Sequence, residues 1–566
     1  MKRNFLFTSV LASLFVAGCS KEDITPNGDG KDEAKTSYMA VNLMSSDVTR
    51  AAEGYEDGSD VENNVSKVRF YFFTENGSAA NVKLQGSSYV NYYDWTPGTG
   101  DQTDDKDSDD TESLLAATIV INTKSGDKLP QMVAAVLNPV GLDNTSKSMD
   151  DLKKVVNDYT TRIEKGEFVM FNSVYKDSNN GTEVCAVPIE AKHLQKTVDA
   201  AKANAVTIFV ERSVAKVEVA LDDKIGFDAK TNLLALKESG ETPKPIIIDG
   251  QQVYLKLEGW SLTADNDNGR LVKAINLTWT SNWWNGTHRS FWAINSPSAK
   301  NRYHSYANID TSFASAMYTN ENAMKLNDAT NGLAANNTKV ILKGTLCKAD
   351  GTALTLVRHL GAHFVDTSSD DPASNLPALK KSILSQLKAN SKNYYYETEG
   401  SDGVKKREQI DTDDLQIVIA TPVAQEDSGN NCYVYAQLND NAKSKTWYDS
   451  LSEDAQPMTN AVTTINNTLK DKDVVDWALA WNSGQTYYYY EIIHHGKSSD
   501  PNATKGVVRN HIYKTTVTKI AGLGTPVYDP SKEIYPEKPN PNDHYIAAEI
   551  NILSWRIVDN EYALEW

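Results

Sequence analysis

Cysteine is scarce in this sequence. The four present, Cys19, Cys185, Cys347 and Cys432, are too widely spaced for a zinc cluster or a dense disulfide framework. If Cys19 has a separate task an odd number remains; one disulfide is compatible with the count and none is required at this length. After the first residues no stretch is apolar enough to span a bilayer. There is no phosphate-binding glycine loop and no nucleophile elbow. His359 and His363 have helical metal-pair spacing, but no Glu follows His359, so the zinc-protease pattern is missing. Asp105, Asp107 and Asp109 start like a calcium loop without its turn glycine or closing Glu, so Asp101–Glu112 reads as a solvated acidic loop. His494-His495 follows Tyr487 to Tyr490, a pattern of sheet surface rather than of a site. Trp283 and Trp284 have faces that suit a sugar, but strand packing is the plainer reading. The sequence thus offers no catalytic set, no metal site and no cofactor site. Cations are also outnumbered. The net charge of −18 argues against nucleic acid and against charge-driven adhesion to anionic lipid.

What is abundant is β-forming sequence. Tyr, Val, Thr and Trp, broken by Gly and Asn, read as all-β. A chain of 566 residues exceeds one core and implies two domains or more. Lys2 and Arg3 precede an apolar run, Phe5 to Ala17, of signal-peptide length. It ends Val16-Ala17-Gly18-Cys19, which resembles a lipobox: cleavage before Cys19 and acylation of that cysteine anchor the precursor to the outer membrane through lipid. An ordinary signal peptide with an incidental cysteine is the competing reading. Ser20-Lys21-Glu22-Asp23 resembles a surface-export signal of Bacteroidales lipoproteins, though a polar linker looks the same.

Residues 20–37 read as a tether. Met39, Val41 and Leu43 then alternate with polar or small residues as a half-buried strand. The loop behind it, Ser46 to Gly54, carries a lone Arg50 before Ala51 and suits a trypsin-like or Arg-specific protease. Val68, Phe70 and Phe72 point one way and Arg69, Tyr71 and Phe73 the other; Ile119 to Ile121 and Met132 to Leu137 suit buried strands. Ser148 and Asp151 form a capping box for a helix with Leu152, Val155, Val156 and Tyr159 on one face. Further helices fit Leu376, Leu379, Ile383, Leu384 and Leu387, and Val462, Ile465 and Leu469, as insertions on a β framework. Strands are also expected at Val253–Leu257, Leu271–Trp279, Lys339–Leu346, Leu415–Ala420, Tyr433–Leu438, Tyr487–Ile493 and Tyr513–Ile520. Between Val206 and Leu221 the apolar parity changes, as in a strand passing from one core to another, and a domain boundary is placed there. Residues 525–544 are proline-rich and read as an extended spacer outside any core.

After the spacer, Ile546, Ala548, Ile550 and Ile552 share one face; Leu553, Trp555 and Ile557 take the other parity. Tyr545-Ile546-Ala547-Ala548-Glu549-Ile550 matches Tyr38-Met39-Ala40-Val41-Asn42-Leu43 in aromatic, alanine and polar positions. Two strands that fit one groove permit β-augmentation between copies, and a head-to-tail joint of that kind builds a filament. Two ordinary edge strands would also give the match.

Several segments resemble the fimbrillins of Bacteroidales type V pili, especially a shaft subunit of the minor fimbria. They are Val210 to Val217, His288 to Ala293, Tyr318 to Asn322, Val508 to Tyr513, Ile520 to Gly524, Val48 to Ala51 and Leu553 to Arg556. Their order spans nearly the whole chain; loops and insertions do not match. The resemblance implies an all-β fold of two transthyretin-like β-sandwich domains with a few helical insertions. It implies a signal peptide over 1–18, a pro-segment over 19–50, sandwiches over 51–213 and 214–524, and a spacer and donor strand over 525–566. It further implies cleavage after Arg50, polymerisation by donor-strand exchange, location in a cell-surface fimbrium, and pilus anchor and tip subunits as partners beside copies of the chain itself. A permanently anchored lipoprotein that binds glycan or host protein is the alternative of a different class, and a pilus anchor or accessory subunit is a second one; a secreted hydrolase is a third.

Overall fold

Alternating apolar and polar residues carry Lys35–Ser45 into an extended strand, β1. The structure is a computed structural model, and it describes residues 35–45, 58–84, 89–98, 102–103, 114–123, 129–238, 242–278, 285–286, 288–323, 337–365, 376–399, 403–421, 430–495, 504–536, 546–554 and 556–565. The first sheet is built on β1, β2 (Val68–Phe73), β3 (Leu114–Thr123), β4 (Met132–Leu137), β5 (Met170–Asn172) and β6 (Val206–Arg212). Their order is β3, β1, β6, β5, β4, β2, with short strands beyond both ends. Val82 and Leu84 near one end and Phe70 near the other share one core with Met39, Ile119 and Ile208, so the sheet folds back on itself as a sandwich. Both faces of β2 are buried. Arg69 is tolerated there because Asp94 takes its Nε and Nη2 at 2.6 and 2.8 Å.

The capping box of Ser148 and Asp151 forms, but its helix, α1, covers only Met149–Lys153. The expected single face over Leu152 to Tyr159 is split. Val156–Asn157 goes extended to pair with Gly269–Arg270, and Asp158 caps a new 3-10 turn at Tyr159–Lys165. Pairing with a distant segment outweighs helical continuation here.

Across Ser213 the chain enters β7 (Val214–Leu221). Val206, Ile208 and Val210 face the first core, while Val217 and Val219 face a second one. β8 (Tyr254–Thr263), β9 (Ala316–Asn320) and β10 (Lys339–Cys347) follow. The chain then makes an excursion through β11 (Leu356–His359), α2 (Pro377–Ala389), β12 (Leu415–Ile419), β13 (Tyr433–Leu438), α3 (Ala461–Lys470) and β14 (Ala478–Trp481). It returns as β15 (Gln485–Glu491) and β16 (His511–Ala521). β9, β7 and β16 form one sheet and β8, β10 and β15 the facing one. Val217, Leu257, Leu342, Tyr488 and Tyr513 meet between them as the second sandwich core.

The excursion has its own core. Leu379, Ile383 and Leu387 of α2 and Ile465 and Leu469 of α3 pack on Ile417, Val434 and Ala436. The helices therefore do more than lie on the second sandwich: they close a third hydrophobic centre. Two sequence expectations change. Residues 271–278 are not a strand, because their backbone and Lys273 are engaged with the junction described below. The proline-rich stretch joins the body through residue 536: Thr525–Pro526 pairs with β15, and Val527 and Ile534 are buried.

The tail forms β17 (Ile546–Ser554) and β18 (Arg556–Glu565), an antiparallel hairpin. β18 runs parallel to β16, from His511 opposite Arg556 to Ala521 opposite Glu565. Among the described residues, no helix is long and apolar enough to cross a membrane.

Candidate strand-exchange groove and domain junction

β1 occupies the interior of the first sheet. It runs antiparallel to β3, from Lys35 opposite Thr123 to Leu43 opposite Leu115. On its other side it runs parallel to β6, from Val41 opposite Val206 to Ser45 opposite Val210. Met39 and Val41 are fully buried and Leu43 nearly so; Ala40, on the opposite parity, is buried too. Tyr38 adds a two-way backbone bridge to Gln195, at 2.7 and 2.9 Å. Without β1, β3 and β6 would face an empty slot with two unpaired edges and an uncovered apolar floor. Ile546, Ala548, Ile550 and Ile552 lie on β17 and Ile557 on β18, so the structure sets these positions beside the second sandwich and not beside β1. Cys19, Arg50, Ala51 and Trp555 lie outside the described residues, as do Trp283, Trp284 and Asp105–Asp109.

Four of the quoted motifs, Val210–Val217, His288–Ala293, Tyr318–Asn322 and Val508–Tyr513, converge elsewhere, where β6 hands over to β7. Glu211 is buried there. It accepts from Ser173 Oγ at 2.9 Å and pairs with Lys273 Nζ at 3.1 Å and Arg289 Nε at 3.6 Å. Burial pushes the Lys273 ammonium down from its ordinary value, and Glu211 opposes that. One step away, Arg509 is clasped by Glu321: its backbone N–H reaches Oε1 at 3.2 Å and its Nε and Nη2 reach Oε2 at 3.3 Å. Its Nη1 and Nη2 also donate to the carbonyls of Leu271 and Arg270 at 3.0 and 2.6 Å. Asn510, at φ 58°, turns the chain so that its Oδ1 accepts from Arg212 N while its own N–H donates to Val214 O.

The histidines are structural in geometry. The Tyr513 hydroxyl accepts from Val508 N at 2.8 Å and meets His494 Nδ1 at 2.9 Å. The Phe291 carbonyl can only accept, so His494 Nε2 carries hydrogen and donates to it at 2.7 Å, which leaves Nδ1 of the neutral ring to accept from Tyr513. His511, also buried, holds Arg509 O with Nδ1 at 2.8 Å. His359 and His363 sit on a β-hairpin, not a helix. His359 Nδ1 meets Ser382 Oγ and its Nε2 meets Asp476 O, which occupies both nitrogens. No group of His, Cys, Asp or Glu among the described residues is placed to hold a metal. Cys185, Cys347 and Cys432 are free thiols; burial pushes Cys347 up to about 11 and Cys432 up to about 12, which disfavours the thiolate form that a nucleophile needs. The junction carboxylates and cations were visible in the sequence only as charges inside apolar runs, Glu211-Arg212 and Arg509 among them. That signal marks a buried ion pair without naming its partner.

Residues 480–561 match the family model described as major fimbrial subunit protein type IV, fimbrillin, C-terminal. The chain is similar to solved structures at low identity. A fimbrilin (fimA) from Porphyromonas gingivalis W83 is 12% identical, over 93% of this chain and 97% of that one, at a TM-score of 0.33. The tip fimbrial protein Mfa3 from Porphyromonas gingivalis, with C-terminal truncation, is 13% identical over 67% and 100%, at 0.27. A fimbrial assembly protein from Parabacteroides distasonis ATCC 8503 is 10% identical over 74% and 100%, at 0.27. No curated protein matches the chain. The family match takes in β15, the Val508–Tyr513 motif, β16 and the tail hairpin as far as residue 561, and over that C-terminal stretch the chain is similar to fimbrillins, in agreement with the resemblance read from the sequence.

Proposed function

We propose that the chain is a shaft subunit that polymerises by exchanging β1 for the tail strand of a neighbouring copy. The observation that carries this reading is β1 itself: an interior strand with Met39, Val41 and Leu43 in the core, followed in sequence by a segment that holds Arg50. In this reading Cys19 is acylated and holds the precursor at the outer membrane, and a trypsin-like or Arg-specific protease cuts between Arg50 and Ala51. Residues 19–50 then leave. Sandwiches over 51–213 and 214–524 remain, and of the segment 525–566 the part beyond the packed residues 525–536 serves as donor. Ile546, Ala548, Ile550 and Ile552 take the positions of Met39, Val41, Leu43 and Ser45, with Trp555 and Ile557 beyond them. Buried apolar anchors contribute about 1.5–3 kcal/mol each before ordering costs, so three or four with a restored ladder hold a durable joint. The tail must first leave β16, since the same strand cannot serve both places. Anchor and tip subunits are the expected partners at the filament ends, and adhesion its role at the cell surface.

Peptide complementation tests the reading. A chain ending at residue 544, once cut after Arg50 and freed of β1, should stay monomeric with a lowered melting temperature. A synthetic peptide of residues 545–557 should restore that temperature. A peptide with no effect, or normal polymerisation of Arg50→Ala, would count against it.

A further inference from the structure

We infer that residues 58–66 form a clamp, centred on the positioning residue Glu62, that keeps the mature body fastened to the domain junction while β1 is exchanged. The inference rests on the strand-removal reading above. The proposed cut would make Ala51 a new chain end, from which fraying can start, and this segment begins only seven residues, 51–57, after Arg50.

The anchoring is dense for a stretch with no regular secondary structure. Glu62 is 2% exposed. Its Oε1 accepts from the Tyr318 hydroxyl at 2.6 Å and pairs with Lys216 Nζ at 3.1 Å. Its Oε2 accepts from Ser59 N at 2.7 Å, which closes the turn, and Asn63 N returns to Ser59 O at 2.9 Å. Arg212 Nε donates to Glu62 O at 3.2 Å, and its Nη2 reaches Asn63 Oδ1. Further along, Asn138 Nδ2 donates to Asn64 O at 2.8 Å and its Oδ1 accepts from Ser66 N at 2.8 Å. An added Cβ at Gly58 would stand 2.5 Å from Arg212 Nη2 and 2.7 Å from Asn63 Oδ1, so both side-chain ends would have to shift.

Two features make this more than local packing. The partners belong to different bodies: Lys216 lies on β7 and Tyr318 on β9, both of the second sandwich, while Asn138 follows β4 of the first. None of them belongs to β1, β3 or the β1-facing stretch of β6, Val206–Val210, so emptying the slot removes no clamp contact. A buried carboxylate with three charge-assisted or hydroxyl contacts is costly to expose without its partners. Removal of β1 is thereby confined to residues before Gly58, and the first sandwich keeps its orientation on the second.

Hydrogen exchange of residues 58–66 in the full chain tests this, before and after cutting by an arginine-specific protease, in wild type, Glu62→Gln and Tyr318→Phe. The wild-type Glu62 and Asn63 amides should exchange equally fast before and after the cut. In Glu62→Gln they should exchange faster by on the order of tenfold, and in Tyr318→Phe by less, with β2 and β4 unchanged. Loss of wild-type protection on cutting, or a Glu62→Gln rate equal to wild type, would overturn the clamp. If the protease does not cut after Arg50, or β1 stays bound, the strand-removal reading fails instead. The uncut chains then decide the clamp: faster exchange in Glu62→Gln supports it and equal rates overturn it.

Discussion

Val41 and Val206 stand opposite each other in a parallel ladder, and both side chains are buried in the first core. The pair joins the strand proposed to leave to a strand that stays. Val41→Ala should therefore weaken the precursor by about 1.5–3 kcal/mol, through lost burial and a small cavity. It should leave the polymer unchanged, because residue 41 is gone by then. Urea unfolding of the precursor and heat stability of assembled material check the two halves separately.

Ile550 is the counterpart. On β17 it stands opposite Thr515 of β16, and in the proposed joint it takes the place of Leu43. Ile550→Asp would bring an unpaired carboxylate into a core, which a groove does not tolerate. The expected result is a folded monomer with normal cleavage and no polymer, read by size-exclusion chromatography after protease treatment.

The junction pair should behave unlike a surface pair. Arg509 and Glu321 are 2% and 3% exposed, whereas Asp440 of the Lys443 pair is 93% exposed. Glu321→Gln leaves a buried guanidinium without its counter-charge and should cost about 3–5 kcal/mol. Asp440→Asn, at a fully solvated pair, should leave stability nearly unchanged. Chemical denaturation of both variants measures the contrast.

Acid should act in two separate windows. Burial, reinforced by the positive charge of Arg289 and Lys273, holds His511 well below its ordinary 6.5. The folded chain then binds fewer protons than the unfolded one below that pH. Stability from neutral His511 is full above about 6.5 and is lost as pH falls from there toward the folded value. For Glu62 burial acts upward, but the Tyr318 hydroxyl, the Ser59 N–H and Lys216 outweigh it, and its carboxyl lies below the ordinary 4.5. Its contribution is present above 4.5 and is lost as pH falls through the folded value. Thermal melts across pH should show a loss starting near 6.5 in wild type that is smaller in His511→Gln; identical curves would contradict the assignment.

Much of this architecture was legible because it is periodic. The alternation at Met39, Val41 and Leu43 reads as a strand, and the change of parity between Val210 and Val217 reads as a change of core. α2 and α3 follow the spacing of Leu379, Ile383 and Leu387 and of Ile465 and Leu469. What periodicity does not carry is partnership. It shows that α2 has an apolar face but not that this face meets α3 and β13 in a third core. It gives Val155 and Val156 to the helix of Leu152, when Val156 pairs with Arg270 and Val155 O accepts from Leu271 N. It assigns Leu271 to a strand, when Arg509, 238 residues later, takes its carbonyl. The same limit applies to Glu62, whose role depends on Tyr318 and Lys216 far along the chain.

The central claim is that β1 is lost and replaced by a neighbour's tail. Mass spectrometry of the N-terminus of surface-sheared protein, beside an unheated SDS gel, tests it most directly. The account predicts an N-terminus at Ala51 and a ladder of multiples that disappears when residues 545–566 are deleted. A lipidated Cys19 terminus with a single monomer band would contradict it.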